Sequence, residues 1–105
     1  ALILAVQKSW FEQMQAGQKL EEYRERTNYW RRRIEGRSYD VVVVTWGYPK
    51  WSDIGRHLVY AWKGYQEKRI IHPHFENREV EVFAIDVSQR LQRQQQERNL
   101  SWKQP

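Results

Sequence analysis

The amino-acid sequence predicts a small α+β protein with five to six strands and two short N-terminal helices. The chain has 105 residues, which allows one domain with a modest core. Short apolar runs of strand-forming residues recur along it, and two early segments have a capping residue in front and a glycine behind. So many strands in so short a chain predict a small, curved, partly closed sheet.

The chain begins with a predicted strand and a predicted helix. Leu2–Val6 is apolar and rich in strand formers, so a buried strand is expected. Ser9 and Glu12 have the spacing of a capping box, and Gly17 supplies a left-handed stop. A helix of about two turns is therefore predicted between them, and a helix so short depends on packing rather than propensity.

A second strand and a second helix follow. Leu20–Arg24 is predicted to be a strand, in which residues two apart point to the same face. Thr27 is the predicted N-cap of the helix, and Gly36 is its predicted stop. Trp30 and Ile34, one turn apart, form its expected buried stripe.

The rest of the predicted domain consists of strands. Tyr39–Thr45 is apolar on both faces and is the best candidate for a central strand. His57–Tyr65 alternates like a half-buried strand, Lys68–Ile71 is a shorter one, and Glu79–Val87 is the last. The turn between the last two contains His72-Pro73-His74-Phe75, whose imidazoles we expect to hydrogen-bond to the backbone.

The segment 88–105 differs in composition from the predicted domain, which spans residues 1–87. Four basic residues against one glutamate give this segment +3 of the net charge of +5. Its glutamines and scattered charges predict a polar basic extension, either helical or disordered. The basic character is compatible with a polyanionic partner and equally with a solvated surface.

Composition also excludes some chemistry. With no cysteine, the chain has no disulfide, thiolate nucleophile or zinc–thiolate site. The longest apolar runs, Ala1–Val6 and Val41–Val44, are too short to span a bilayer or to act as a secretory signal, so a cytoplasmic protein without membrane contact is expected. His72 and His74 flank a proline and lack a clear third ligand, so neither a metal nor another cofactor is predicted.

The stretch after the first helix carries the strongest motif. Gly17, Lys19, Glu22 and Arg24 form the pattern G-x-K-x-x-E-x-R. With further motifs in the same order, this pattern resembles the ASCH domains of the PUA-like superfamily, of the type often carried by phages and prophages. Those further motifs are Tyr29-Trp30-Arg31, Gly47-Tyr48-Pro49, Trp62-x-Gly64-Tyr65, His72-Pro73-His74-Phe75 and Val82-Phe83-Ala84-Ile85.

The resemblance implies a fold and a function. The expected fold is a PUA-like mixed β-barrel with a cleft beside the first helix, and the expected ligand is RNA or a nucleoside. Some similar bacterial proteins are N4-acetylcytidine amidohydrolases with a threonine nucleophile in the motif. Here Lys19 matches their lysine and Arg24 their arginine, whereas Glu22 stands in place of the threonine.

The preferred hypothesis is a nucleoside or single-stranded RNA site. Arg24 offers a bidentate fork to a phosphate or a base edge, Lys19 a point charge, and Glu22 an acceptor for an amino group. Aromatic side chains would stack on the base. The residues predicted to bind the ligand with Arg24 are Trp10, Thr45, Trp46, Tyr48 and His74.

Three alternatives remain open from the sequence. Glu22 and Arg24 could be an ion pair that only sets strand register, which stabilises little when exposed. In a hydrolase of N4-acylcytidine amides, Lys19 would be the base and Glu22 would activate water, with Ser9 and Thr45 as the nearest hydroxyls. A phage-type protein could also bind a host protein through exposed tryptophans, namely Trp51, Trp62 or Trp102.

Overall fold

The computed structural model describes residues 1–91 and shows six strands and two α-helices. In chain order the elements are β1 (Leu2–Val6), α1 (Lys8–Gln15), β2 (Glu21–Glu25), α2 (Asn28–Ile34), β3 (Val41–Trp46), β4 (His57–Ala61), β5 (Tyr65–Ile71) and β6 (Glu79–Asp86). Two 3₁₀ turns, Ile54–Arg56 and Pro73–Phe75, precede β4 and β6. The predicted α+β class is confirmed. No helix in this part of the chain is long and apolar enough to cross a membrane.

The strands form two three-stranded sheets. In the first sheet β3 lies between β1, to which it runs parallel, and β4, to which it runs antiparallel. In the second sheet β6 lies between β2 and β5 and is antiparallel to both. The prediction of a central strand around Val41–Val44 is confirmed, because all four valines are buried.

The two sheets are joined on both sides without forming a closed ring of strands among the described residues. On one side the chain after β6 runs along β4: Ala61 N–H donates to the Gln89 carbonyl and Leu91 N–H to the Val59 carbonyl, each at 2.9 Å. On the other side Arg24 of β2 connects to β1, because its guanidinium donates to the Ala5 carbonyl at 2.7 Å. The predicted barrel therefore stays a prediction.

The main core lies between the two sheets. Alternation along β1 and β3 sends every second side chain inward, and α1 and α2 each add a buried stripe. The buried residues of this core are Leu2, Leu4, Val6, Phe11, Met14, Ile34, Val42, Val44, Leu58, Tyr60, Phe83, Ile85 and Val87. On the opposite face of the first sheet Val41, Val43 and Val59 form a smaller cluster against Trp51 and Leu91.

Two local predictions were wrong. Helix α1 begins two residues earlier than the capping box required: Gln7 is its N-cap in place of Ser9, no side chain makes a cap bond, and Ser9 lies inside the helix. The predicted strand His57–Tyr65 ends at Ala61, and Tyr65 is the first residue of β5, which belongs to the other sheet. The chain turns between them at Gly64, whose φ of +88° is strained for any other residue.

Other local predictions were confirmed. Thr27 caps α2 by accepting a hydrogen bond from Trp30 N–H at 3.3 Å. Gly17 and Gly36, with φ of +74° and +70°, follow the two helices as predicted. Of the predicted C-terminal extension only residues 88–91 are described, and residues 92–105 lie outside the described part of the chain.

Candidate functional site

The turn between α1 and β2 positions the first of the predicted polar groups. After α1, Gly17 and Gln18 N–H groups donate to the carbonyls of Met14 and Gln13, which closes the helix end. The left-handed conformation of Gly17 then directs Lys19 back towards the start of β2. Because side chains alternate along a strand, Glu22 and Arg24 share one face of β2, as predicted.

Lys19, Glu22 and Arg24 form one hydrogen-bonded group, which we call the buried triad. The Glu22 carboxylate accepts from Lys19 Nζ at 3.0 Å and from Arg24 Nη2 at 2.8 Å, one oxygen for each cation. Tyr23 N–H adds a third donor at 3.2 Å, and Lys19 also donates to the Glu21 carbonyl. Only 4% of the Glu22 side chain is exposed, against 10% for Lys19 and 17% for Arg24. Both carboxylate oxygens are therefore engaged within the protein.

Arg24 connects the triad to the rest of the fold. The same Nη2 that contacts Glu22 donates to the Ala5 carbonyl on β1, and the guanidinium carbon lies 4.9 Å from the centre of the Trp30 ring. Its Nε is buried and has no hydrogen-bond partner among residues 1–91. An ion pair of Glu22 with Arg24 was one alternative left open by the sequence; the pair is present, and Arg24 also links the edge strands of the two sheets.

Aromatic and imidazole rings cover the triad. The His72 ring centre lies 5.3 Å from Trp10 and 5.2 Å from Tyr23, and Lys19 Nζ lies 4.8 Å from the Tyr23 ring centre. His72 Nδ1 accepts a hydrogen bond from His74 N–H at 3.1 Å, so the expected bond between an imidazole and the backbone is confirmed. Burial, then the positive charge of Lys19, lowers the pKa of His72.

A cavity of about 480 Å³ opens at the ends of β1 and β3, beside the start of α1, a size typical of small-molecule sites. Its lining residues are Ala5, Val6, Gln7, Lys8, Trp46, Gly47, Tyr48 and His74. Three residues predicted to bind the ligand, Trp46, Tyr48 and His74, therefore lie together. Thr45 lies below them, where its hydroxyl donates to the Gly47 carbonyl at 2.7 Å and holds the turn that follows β3.

The buried triad lies behind this cavity rather than in its wall. None of its three residues is among the lining residues, although Arg24 contacts the lining residue Ala5 through its carbonyl. Trp10 also lies behind the cavity wall, where its ring centre is 5.9 Å from that of the lining residue His74. The predicted site residues therefore fall into two groups. Trp46, Tyr48 and His74 line the cavity. The buried triad and Trp10 lie behind that lining and contact it.

Two cations that the sequence did not single out lie at the Trp46 ring. The guanidinium carbon of Arg56 is 3.9 Å from the ring centre, and Lys8 Nζ is 5.2 Å from it. The Trp46 ring therefore already has a cation on it, whereas Tyr48 is 95% exposed. Nothing in the spacing of the sequence relates Arg56 to Trp46, because the two residues come together only when β3 and β4 pair.

The fold and the site together define a small α+β protein with an aromatic, cation-rimmed cavity supported by a buried ion-pair network. Within residues 1–91 no group of three or more His, Asp or Glu side chains is arranged to hold a metal ion. No protein-family model matches the chain, and no curated protein or solved structure matches it either.

Proposed function

We propose that this protein binds a nucleotide unit of single-stranded nucleic acid, with the base on Tyr48 at the cavity. The observation that carries the proposal is the 95% exposure of Tyr48 at the edge of an aromatic-lined cavity. A tyrosine so exposed has a ring face available to a base, and stacking of a base on an aromatic ring contributes about 1–3 kcal/mol.

The charge at the cavity supports an anionic ligand. Lys8 lines it, and Arg56 lies on Trp46 in its wall. The nearest carboxylates are Glu12, 3.8 Å from Lys8, and Asp53, 3.6 Å from Arg56. These exposed pairs are long and therefore weak, so both cations remain able to attract a phosphate.

In this proposal the buried triad positions the cavity wall and does not contact the ligand. Arg24 fixes the end of β1 through Ala5, while Lys19 and the rings above it hold the turn that carries His74. This differs from the expectation that the triad forms the floor of the cleft. It agrees with the burial of Glu22, whose carboxylate already accepts three hydrogen bonds and is almost inaccessible to a base.

The proposal includes membership of the ASCH group and its PUA-like fold. What supports it is the order of elements: a strand, a helix closed by Gly17, a strand carrying Glu22 and Arg24, and a helix capped by Thr27. The two sheets joined by the chain after β6 and by Arg24 are compatible with a distorted, open form of such a barrel.

The test is a titration of short single-stranded RNAs, followed by tryptophan fluorescence. We expect Tyr48→Ala to weaken binding about tenfold or more, because the stacking platform is lost, and Tyr48→Phe to bind like the wild type. Equal affinities of the wild type and Tyr48→Ala would overturn the proposal.

The protein should also be incubated with N4-acetylcytidine, and the release of cytidine should be measured. Release of cytidine that disappears in Lys19→Ala would replace binding with amide hydrolysis. If neither RNA binding nor turnover is observed, a protein partner becomes the remaining candidate.

A further inference from the structure

The α2 helix presents a cationic surface that the proposed site does not use. Its buried stripe is formed by Ile34, which is fully buried, and Trp30, which is half-buried. Because successive residues of a helix are 100° apart, Arg32 lies opposite this stripe, with Tyr29 and Arg33 beside it. We call Tyr29, Arg32, Arg33 and the following Arg37 the α2 arginine surface; all four residues are exposed.

The arginines of this surface lack acidic partners. Arg32, Arg33 and Arg37 have no ion pair within 4.0 Å among residues 1–91. Some arginines elsewhere are paired twice: Arg26 with Glu67 and Glu81, and Arg69 with Glu79 and Glu81. Favourable placement near the carboxyl end of a helix accounts for a basic residue there, but it does not account for the missing counter-charges.

Two of these side chains are held in place by their own helix. Arg33 Nη1 donates to the Tyr29 carbonyl at 2.9 Å, and Arg37 Nε donates to the Arg32 carbonyl. A guanidinium has five N–H donors, so each keeps four for an incoming anion. Because the side chains are already ordered, they lose less conformational entropy when an anion binds.

Tyr29 distinguishes this surface from a plain patch of charge. Its side chain is 55% exposed, and the Arg33 guanidinium carbon lies 3.4 Å from its ring centre. Arg33 occupies one face of this ring, and single-stranded nucleic acids contact such aromatic–arginine pairs through base stacking and phosphate bonds together. A purely acidic protein segment would use the charge and leave the ring without a role.

The helix that carries this surface also contacts the support of the cavity. Trp30 on the inner side of α2 contacts Arg24, which holds the Ala5 carbonyl in the cavity wall. We infer that the α2 arginine surface binds the phosphate backbone of a nucleic-acid single strand that continues from the cavity. This inference rests on the proposed function and makes the ligand a strand rather than a free nucleotide.

The experiment compares two ligands and two variants of equal net charge. The ligands are a ribonucleoside monophosphate and a single-stranded RNA of about ten nucleotides. The variants are Arg32→Gln/Arg33→Gln and, as a control, Arg69→Gln/Arg78→Gln, which removes two exposed arginines outside α2. Circular dichroism and unfolding midpoints confirm that both variants fold like the wild type.

For the RNA, Arg32→Gln/Arg33→Gln is expected to bind about tenfold more weakly at 0.1 M salt. The slope of log K against log salt should become shallower by about 1.4 because two phosphate contacts are lost. The control should keep the wild-type slope, and monophosphate binding should be the same in all three proteins.

Three results would overturn the inference: equal slopes in both variants, an RNA that binds no tighter than the monophosphate, or polyglutamate of matched charge binding as tightly as RNA. Failure of the proposed function gives a different result: the Tyr48→Ala variant would then bind the monophosphate as tightly as the wild type does.

Discussion

Glu22 shows at the scale of one residue how a charge is tolerated inside this protein. Its carboxylate is almost completely buried, and it accepts hydrogen bonds from Lys19, Arg24 and the Tyr23 N–H. Removing water from an ion costs several kcal/mol, and close partners with good geometry offset that cost. The group therefore acts as a unit: the acid places each cation, and the cations supply hydrogen bonds to both of its oxygens.

Substitution of the acid tests this account. Glu22→Gln keeps the shape but leaves Lys19 and Arg24 largely buried without their counter-charge. We expect it to lower the free energy of unfolding by about 3–5 kcal/mol, measured by denaturant titration. The control Glu12→Gln, from an exposed pair with Lys8, should change it by less than about 0.5 kcal/mol. A loss below 1 kcal/mol (about the value of an exposed pair) in Glu22→Gln would contradict the account.

His72 makes stability depend on pH. Burial and the charge of Lys19 lower its pKa below the ordinary 6.5, so the unfolded chain takes up the proton first as the pH falls. The stabilisation is thus complete above pH 6.5 and is lost as the pH falls towards the lower folded pKa. Denaturant midpoints at about pH 7.5 and about pH 5.5 should differ more in the wild type than in His72→Asn. Equal differences in the two proteins would rule out this role for His72.

At the scale of elements, the two helices differ in how they begin. Thr27 caps α2, whereas the Gln7 side chain makes no cap bond at α1 although its backbone has the extended conformation of an N-cap. Ser9, the expected cap, is already within the first turn of α1. Packing of Phe11 and Met14 against the core therefore decides where α1 starts, because a helix of eight residues has too little propensity of its own.

Cap substitutions should separate these roles. Thr27→Ala is expected to cost about 1 kcal/mol, and Gln7→Asp to gain about 1 kcal/mol, because the aspartate can accept a bond from the free N–H groups of the first turn. Ser9→Ala should be neutral or slightly stabilising, since alanine is the better helix former. Thermal unfolding followed by circular dichroism measures all three. If Ser9→Ala lowered the free energy of unfolding by about 1 kcal/mol, Ser9 would be the cap of α1 after all.

At the scale of the whole molecule, the two sheets depend on one shared core. Phe83 of β6 is fully buried there and meets the Tyr65 ring at 5.5 Å, edge to face. The sheets have no continuous hydrogen bonding among the described strands, so side-chain packing supplies much of their attachment. We therefore expect them to unfold together rather than one after the other.

Phe83→Ala tests the shared core. It should lower the free energy of unfolding by about 3–5 kcal/mol through lost burial and the cavity left behind. Ile71→Ala, at a site 68% exposed, should stay within about 0.5 kcal/mol of the wild type. Fluorescence and circular dichroism should report one common transition in each variant. Separate transitions would show that the sheets are independent units.

Most strands, the two helix stops and the shared face of Glu22 and Arg24 could be predicted because each depends on a few neighbouring residues. The start of α1 and the change of sheet between β4 and β5 could not, because tertiary contacts decided both. Within the candidate site, Trp46, Tyr48 and His74 were predicted and do lie together, while the position of the triad behind the cavity was not foreseen.

The sequence alone thus determined which segments are strands or helices and which side chains share a face, since backbone geometry repeats every 2 or 3.6 residues. Only the tertiary structure decided that β4 and β5 join different sheets, that Arg24 reaches Ala5, and that Arg56 lies on Trp46. Such contacts join residues distant in the chain, and their partners are selected by packing and burial in the folded molecule rather than by spacing along the sequence.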